Sequence, residues 1–189
     1  MEVLTERQKQ SPETMRRRMW VVFEVIGGAL FLAALSRISI SLHPVPMTSQ
    51  TLGVFLLALC QRNKIRTISV IVYLLLASVG LPVLPGQEAV RPFWIFYPSA
   101  GYLVAFPISA YCIGKIVDAK ENPSLLRIVG SLCFGSGAIF ILGVGYLTRF
   151  LSLTQSVSIG LIPFLPVEAV KILVGASIGG RYLRWKKGG

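Results

Sequence analysis

Two ionisable residues of opposite charge stand inside a strongly apolar stretch of the chain. Glu168 and Lys171 lie three positions apart in an apolar run that extends over residues 162–180. On a helix this spacing places both side chains on one face, where they can pair. Ionisable groups in an apolar span are costly and indicate a functional site by default. The pair is interpreted either as a polar site for a small ligand head group or as a buried ion pair that only ties helices together.

A second set of polar residues opens another apolar run, at residues 47–60. Its members are Thr48, Ser49, Gln50 and Thr51. The amide of Gln50 offers two hydrogen-bond donors and an acceptor, at the depth expected for Glu168. Helix capping by Thr48 or Ser49 would account for one of the four residues but leaves Gln50 unexplained. Gln50 is therefore a candidate binding residue.

The composition indicates what kind of secondary structure carries these polar residues. Of the 189 residues, 53% are hydrophobic and only 14% are charged, against about 25% charged in soluble domains. An ordinary soluble enzyme and a disordered chain are both disfavoured. Apolar runs long enough for helices cover residues 20–36, 47–60, 65–80, 99–117, 128–147 and 162–180. These runs predict an all-α integral membrane protein with six transmembrane helices.

The distribution of basic residues predicts the topology. The chain has 19 Lys and Arg and 8 Asp and Glu, a balance that would suggest nucleic acid in a soluble protein. If the N-terminus lies inside, fifteen basic residues fall on inner segments and three, Arg37, Arg91 and Arg149, fall on outer ones. The positive-inside rule then places both termini in the cytoplasm. We expect the chain to lie in the inner membrane. Because topology accounts for the basic residues, no nucleic-acid partner is expected. The expected division is a cytoplasmic tail at 1–18, a six-helix substrate-binding domain at 19–182 and a basic cytoplasmic tail at 183–189.

The longest outer connection, residues 81–98, holds further candidates. Arg91 could bind a ligand carboxylate, but it could also contact lipid phosphate or pair with Glu88. Trp94 and its aromatic neighbours could wall an apolar pocket or form an interfacial aromatic belt. Both interpretations stay open for each residue.

The sequence lacks the common motifs of enzymes. It has no G-x-x-x-x-G-K-[ST], no H-E-x-x-H and no G-x-S-x-G, so ATP hydrolysis by a P-loop is not expected. One His and three Cys without C-x-x-C spacing make a structural zinc site improbable. We expect no catalytic residue, no metal and no cofactor.

Four ordered motifs resemble one family of membrane proteins. Residues 44–54, P-V-P-M-T-S-Q-T-L-G-V, are similar to the P-V-P-[FM]-T-x-Q-T-L-[GA]-V signature of the BioY family, the biotin-specific substrate-capture (S) components of energy-coupling factor (ECF) transporters. Residues 73–83, 98–107 and 163–171 resemble three further motifs of that family in order and spacing. The resemblance covers roughly residues 20–180.

The resemblance implies a bundle of six helices with an outward-facing vitamin site. The acid and the lysine of the last helix, here Glu168 and Lys171, would bind the ureido–thiophane head of biotin. A polar loop residue that reaches the ureido group corresponds best to Gln87. Thr48 and Tyr102, which lie in two of the motifs, are added to the candidate binding residues.

The resemblance also implies partners. Ala29 and Ala33 have the small-xxx-small spacing that allows close helix approach, and they correspond to the family's contact with a transmembrane coupling subunit. Two cytoplasmic ATPases would complete the transporter. Glu168 replaces the family's usual Asp, and the glycine-rich part of the second outer loop is replaced by residues 87–92. A related vitamin or a biotin precursor is therefore an alternative ligand, and a structural membrane subunit or small membrane enzyme is the alternative class.

Overall fold

Helices account for most of the chain, as the long apolar runs predict. The computed structural model describes residues 12–62, 64–85 and 93–188. The helices are α1 (Pro12–Ser36), α2 (Gln50–Cys60), α3 (Ile65–Ser78), α4 (Ala100–Asp118), α5 (Leu125–Leu147), α6 (Leu153–Gly160) and α7 (Leu165–Gly188). Single turns of 3₁₀ helix, Trp94–Phe96 and Ile162–Phe164, precede α4 and α7. Between α1 and α2, the short strands β1 (Ser39–Ile40) and β2 (Met47–Thr48) pair antiparallel, with Ser39 opposite Thr48.

Each of the six predicted runs contains one helix, but the outer boundaries differ from the prediction. Helix α1 begins at Pro12 and α7 continues to Gly188, so both segments predicted as tails are partly helical. Proline is favoured in the first turn of a helix because its missing N–H would have no intrahelical partner. The apolar pattern marks the buried or lipid-facing part of a helix and does not detect a polar extension.

Helix α6 was not predicted, although its start carries a local signal. Ser152 Oγ accepts a hydrogen bond from the backbone N–H of Gln155 at 3.3 Å, and Gln155 Oε1 accepts one from the backbone N–H of Ser152 at 3.2 Å. This reciprocal pair is a capping box. The short helix leads the chain back to the start of α7.

The helix ends separate into two groups. Arg17 of α1, Cys60 of α2, Lys115 of α4 and Tyr182 of α7 surround one hollow. The first residues of α2, α4 and α7 meet at the opposite end, around the candidate site. The basic segments predicted for the inner side thus lie together, away from the Glu168–Lys171 pair.

The outer surface of the bundle is apolar. In the described part of the chain, four segments are long and apolar enough to cross a membrane: Met15–Ser36, Ala100–Asp118, Leu125–Leu147 and Leu153–Trp185. Large apolar side chains such as Leu126 and Ile141 are 82% and 74% exposed, as on a surface that faces lipid. The chain is a multi-pass membrane protein. Helices α2 and α3 have 11 and 14 residues, shorter than the ~20 that a full perpendicular span requires.

Candidate functional site

The acid–amine pair lies in the first two turns of α7 and is buried. Glu168 and Lys171 are 4% and 9% exposed, and Lys171 Nζ donates to Glu168 Oε2 at 3.2 Å. The pairing expected from their spacing is confirmed. The helix begins between Pro163 and Pro166, as predicted, and a carboxylate in a first turn is stabilised by the helix dipole.

Two hydroxyl groups from other helices complete the carboxylate's environment. Thr51 Oγ1 of α2 donates to Glu168 Oε2 at 3.1 Å, and Ser136 Oγ of α5 donates to Glu168 Oε1 at 3.0 Å. Both oxygens therefore have a partner. Charge-assisted hydrogen bonds of this kind are the strong ones in protein interiors, and they connect α7 to α2 and α5.

The ammonium group of Lys171 is saturated. Besides Glu168, it donates to the backbone carbonyl of Thr48 and to Thr51 Oγ1, both at 2.8 Å. An ammonium has three N–H donors, so every donor is used. Strand β2 places the Thr48 carbonyl at this position.

Gln50 belongs to a second polar network that adjoins the pair. It is 2% exposed; its amide nitrogen donates to the hydroxyl of Tyr73, and its amide oxygen accepts from Thr48 Oγ1 at 3.0 Å. Tyr73 in turn donates to the carbonyl of Val83 at 3.1 Å. Gln50 thus ties the site to α3 and to the start of the second outer connection, while its side chain also lines the cavity.

A small cavity joins these polar groups to an apolar wall. Its volume is about 50 Å³, well below the roughly 300–1,000 Å³ of typical ligand sites. The polar lining consists of Thr48, Gln50, Thr51, Ser99, Glu168 and Lys171. The aromatic lining consists of Tyr102, Phe106, Phe140 and Phe164.

Tyr102 is the centre of the aromatic wall. Its ring stacks on Phe164 at 6.4 Å between centroids and meets Phe140 edge-on at 6.5 Å. Its hydroxyl donates to the carbonyl of Gly160, the last residue of α6, at 2.8 Å. The structure places Tyr102 at the cavity beside the other candidate residues, and its bond to α6 holds it there.

Trp94 is a candidate binding residue that does not line the cavity. Its indole N–H donates to Ser78 Oγ of α3 at 3.0 Å and the side chain is 6% exposed. This contact fixes Trp94 against α3. Its neighbours Phe93 and Phe96 are 68% and 71% exposed, as an interfacial belt requires. Gln87 and Arg91 lie outside the described residues.

The expected partner interface on α1 also needs correction. Ala29 is fully buried and Ala33 is partly buried against the core, so Ala29 has no surface to offer a partner. The neighbouring Gly28 explains the close packing here, because a Cβ at this position would lie 2.7 Å from Gln61 and 2.8 Å from Ser69. Ala29 and Gly28 thus serve packing within the chain, whereas Ala33 keeps part of its surface exposed.

Thr51 and Ser136 were not among the predicted site residues. Thr51 belongs to the polar start of α2, and Ser136 is a polar residue in a long apolar helix. Each of these contexts is only a weak indication that the residue belongs to a site. No group of His, Cys, Asp and Glu within the described ranges could hold a metal ion.

Apolar helices of membrane-spanning length, with a buried acid–amine pair beside a small cavity at one end, define a small-ligand-binding membrane protein. The sequence matches the family described as "BioY family" over residues 8–187, and the chain belongs to that family. The resemblance noted in the sequence is confirmed, and the family is one of transporters.

Individual relatives support the assignment of the chain to this family. The chain is 36% identical over 151 residues to the biotin transporter BioY of Thermotoga maritima, covering 79% of this chain and 86% of that protein. It is 33% identical over 141 residues to the probable biotin transporter BioY of Bacillus subtilis, covering 72% and 74%. A crystal structure of the S-component for biotin from an ECF-type ABC transporter superposes with a TM-score of 0.78 at 25% identity, covering 92% of this chain and 94% of that one.

Proposed function

We propose that the chain is the biotin-binding S component of an ECF transporter in the cytoplasmic membrane. Six spans place both termini in the cytoplasm and open the Glu168–Lys171 site to the outside. The chain captures biotin there and delivers it inward together with a transmembrane coupling subunit and two cytoplasmic ATPases. The observation that carries this proposal is the buried acid–amine pair beside an aromatic-walled cavity, in a chain whose relatives are named biotin transporters.

The hydrogen-bonding capacity of the site suits a ureido group. That group has two N–H donors and one carbonyl acceptor. A carboxylate has about four acceptor positions, and Glu168 receives bonds from Thr51, Ser136 and Lys171. One position is left, and a second becomes free if a hydroxyl rotates away. Glu168 then accepts from the ureido N–H groups.

Lys171 both pairs with Glu168 and can donate to the ligand. Because all three of its N–H groups are already bonded, donation to a ligand oxygen requires that one contact be exchanged. The Thr51 hydroxyl is the natural contact to give up, since it can find another partner by rotating. The main contribution of Lys171 is to pair with Glu168 and to hold its carboxylate in place.

Ligand entry requires the site to open. A cavity of about 50 Å³ holds one or two water molecules and not a fused bicycle. The aromatic side chains of Tyr102, Phe140 and Phe164 then cover the apolar part of the ligand. Gln50 or Gln87 completes the polar contacts, and we propose that Arg91 binds the carboxylate tail.

A vitamin panel tests the proposal. The purified protein in a neutral detergent is heated alone and with biotin, dethiobiotin, lipoate or thiamin. A ligand that binds only the folded state raises the melting temperature, and we expect the largest rise with biotin. A larger rise with dethiobiotin would favour a precursor as substrate, which the longer Glu168 in place of Asp could accommodate. No rise with any compound would indicate a structural membrane subunit or a membrane enzyme.

A further inference from the structure

A second concave surface lies at the end of the bundle opposite the Glu168–Lys171 site. It is an open hollow of about 960 Å³. Helix α1, the connection between α2 and α3, helix α4 and helix α7 all contribute to it. Its lining consists of Arg17, Trp20, Val21, Glu24, Cys60, Arg62, Lys64, Ile65, Tyr111, Lys115 and Tyr182.

The charge of this hollow is strongly unbalanced. Among its described lining residues, four are basic, Arg17, Arg62, Lys64 and Lys115, and one is acidic, Glu24. All four basic residues are exposed. Within the part of the chain that the structure describes, none of them forms an ion pair; the pairs found are Arg66–Asp118 and Lys171–Glu168. The hollow therefore presents uncompensated positive charge that suits an anion.

The walls between these charges are apolar and aromatic. Trp20 is 69% exposed and Tyr111 is 49% exposed, and the ammonium of Lys115 lies 5.6 Å from the centre of the Tyr111 ring. Val21 and Ile65 add aliphatic surface. Trp and Tyr at the ends of apolar helices are typical of the membrane–water interface. A ligand that fills this hollow would have both an anionic head and an apolar body.

We propose that this hollow binds the phosphate head group of an anionic membrane lipid, with phosphatidylglycerol as the simplest example. Basic pockets between membrane helices recognise such head groups. The positive-inside rule accounts for many cations on one side of a membrane, but it does not require three separate elements to direct them into one hollow with aromatic walls. A free inorganic phosphate would use the charges and leave the apolar walls without contact. The proposal does not depend on which ligand the Glu168 site binds.

The test compares lipid retention by the full chain in a neutral detergent. The protein is incubated with equal amounts of phosphatidylglycerol and phosphatidylcholine, and the bound lipids are counted by native mass spectrometry. The variant R62Q/K64Q/K115Q removes three charges from the hollow. The matched control R181Q/R184Q/K120Q removes three exposed charges that do not line it.

We expect the wild type and the control to retain phosphatidylglycerol preferentially, and the hollow variant to lose that preference by roughly tenfold or more. Helical circular dichroism and size-exclusion profiles establish that each variant is folded. Equal losses in both variants would show general electrostatic attraction and overturn the site. Absence of any preference in the wild type would overturn it as well.

Two further experiments distinguish a bound lipid from other occupants of the hollow. If inorganic phosphate or glycerol phosphate displaces phosphatidylglycerol at comparable concentration, the hollow is a site for free anions and the lipid assignment is wrong. If the hollow variant keeps its lipid preference but no longer assembles with a transporter module, the hollow is a protein contact and the proposal fails.

Discussion

The side chains of the candidate site satisfy one another without a ligand. Lys171 uses all three donors, and both oxygens of Glu168 accept hydrogen bonds. Burying a charge is tolerated only when it is paired and hydrogen-bonded. The two charges therefore stabilise each other within the protein, and a ligand that needs more than the one open acceptor position of Glu168 must exchange existing contacts for equivalent ones. Its selectivity would follow from how well the ligand reproduces those contacts.

Thr51 offers a direct test of this exchange. Its hydroxyl accepts from Lys171 and donates to Glu168, so Thr51→Val leaves two buried charged groups each short of a partner. We expect the ligand-free protein to lose about 1–3 kcal/mol of stability, measured by thermal or denaturant unfolding. Thr51→Ser keeps the hydroxyl and should behave like the wild type. Equal stability of the Val variant and the wild type would show that the Thr51 hydroxyl does not contribute to the stability of the folded protein.

The predictable part of the site is the part that lies on one helix. Glu168 and Lys171 could be paired from the sequence because an i,i+3 spacing has a known geometry. Thr51 and Ser136 come from α2 and α5, and only the packing of these helices against α7 brings them to the carboxylate. The position of Trp94 could not be predicted, because an aromatic residue near a helix end serves a pocket or an interface equally well, and only the fold brings its indole N–H to Ser78.

At the scale of helices, α4 and α5 pack against each other most extensively. A Cβ on Gly101 would lie 2.3 Å from the Cβ of Tyr146, and a Cβ on Gly143 would lie 2.2 Å from Tyr102 Cδ1. Neither distance is compatible with a real side chain. The glycines thus set the separation of the two helices, and Gly143 also sets the position of the Tyr102 ring that walls the cavity.

Two alanine substitutions on α5 test this packing. Gly143→Ala must displace Tyr102, and we expect a loss of about 1–3 kcal/mol of stability together with weaker ligand binding. Gly145→Ala is the matched control, because nothing lies within 4 Å of a Cβ at that position. It should leave the melting temperature unchanged or slightly higher, since alanine favours helix over glycine. The reverse order of the two melting temperatures would refute the packing described here.

The boundaries of the helices were less predictable than their existence. Helices α2 to α5 lie close to their apolar runs, because long hydrophobic stretches leave little choice of structure in a membrane. Helix α6 is short and weakly apolar, so periodicity missed it, although Ser152 and Gln155 carry a capping signal. The burial of Ala29 inside the chain could not be predicted from the small-xxx-small spacing. Small residues favour close approach to any helix, whether it belongs to the same chain or to a partner.

At the scale of the whole molecule, the two ends of the bundle differ in charge and in role. The acid–amine site lies at one end and the basic hollow at the other. Helix α7 connects them: Tyr182 follows Lys171 by eleven residues, or about 16 Å of helix. The proposed topology places the basic end in the cytoplasm.

Cysteine labelling checks this orientation. In a background without Cys60, Cys112 and Cys133, single cysteines replace Glu121, in the turn between α4 and α5, or Arg149, after α5. In intact cells a membrane-impermeant maleimide should label Arg149→Cys and not Glu121→Cys, while both react after lysis. Labelling of Glu121→Cys alone in intact cells would invert the proposed topology, and labelling of both would contradict the separation of the two ends.

The most direct test of the account is calorimetric titration of biotin into the purified Glu168→Gln variant. This change removes the buried charge and keeps the size of the side chain, whereas the control Glu121→Gln removes an exposed charge far from the site. We predict that the control binds like the wild type and that Glu168→Gln binds about 10- to 100-fold more weakly, as expected for hydrogen bonds to a charged group. Wild-type affinity in a folded Glu168→Gln protein would contradict the central claim that this carboxylate binds the ligand.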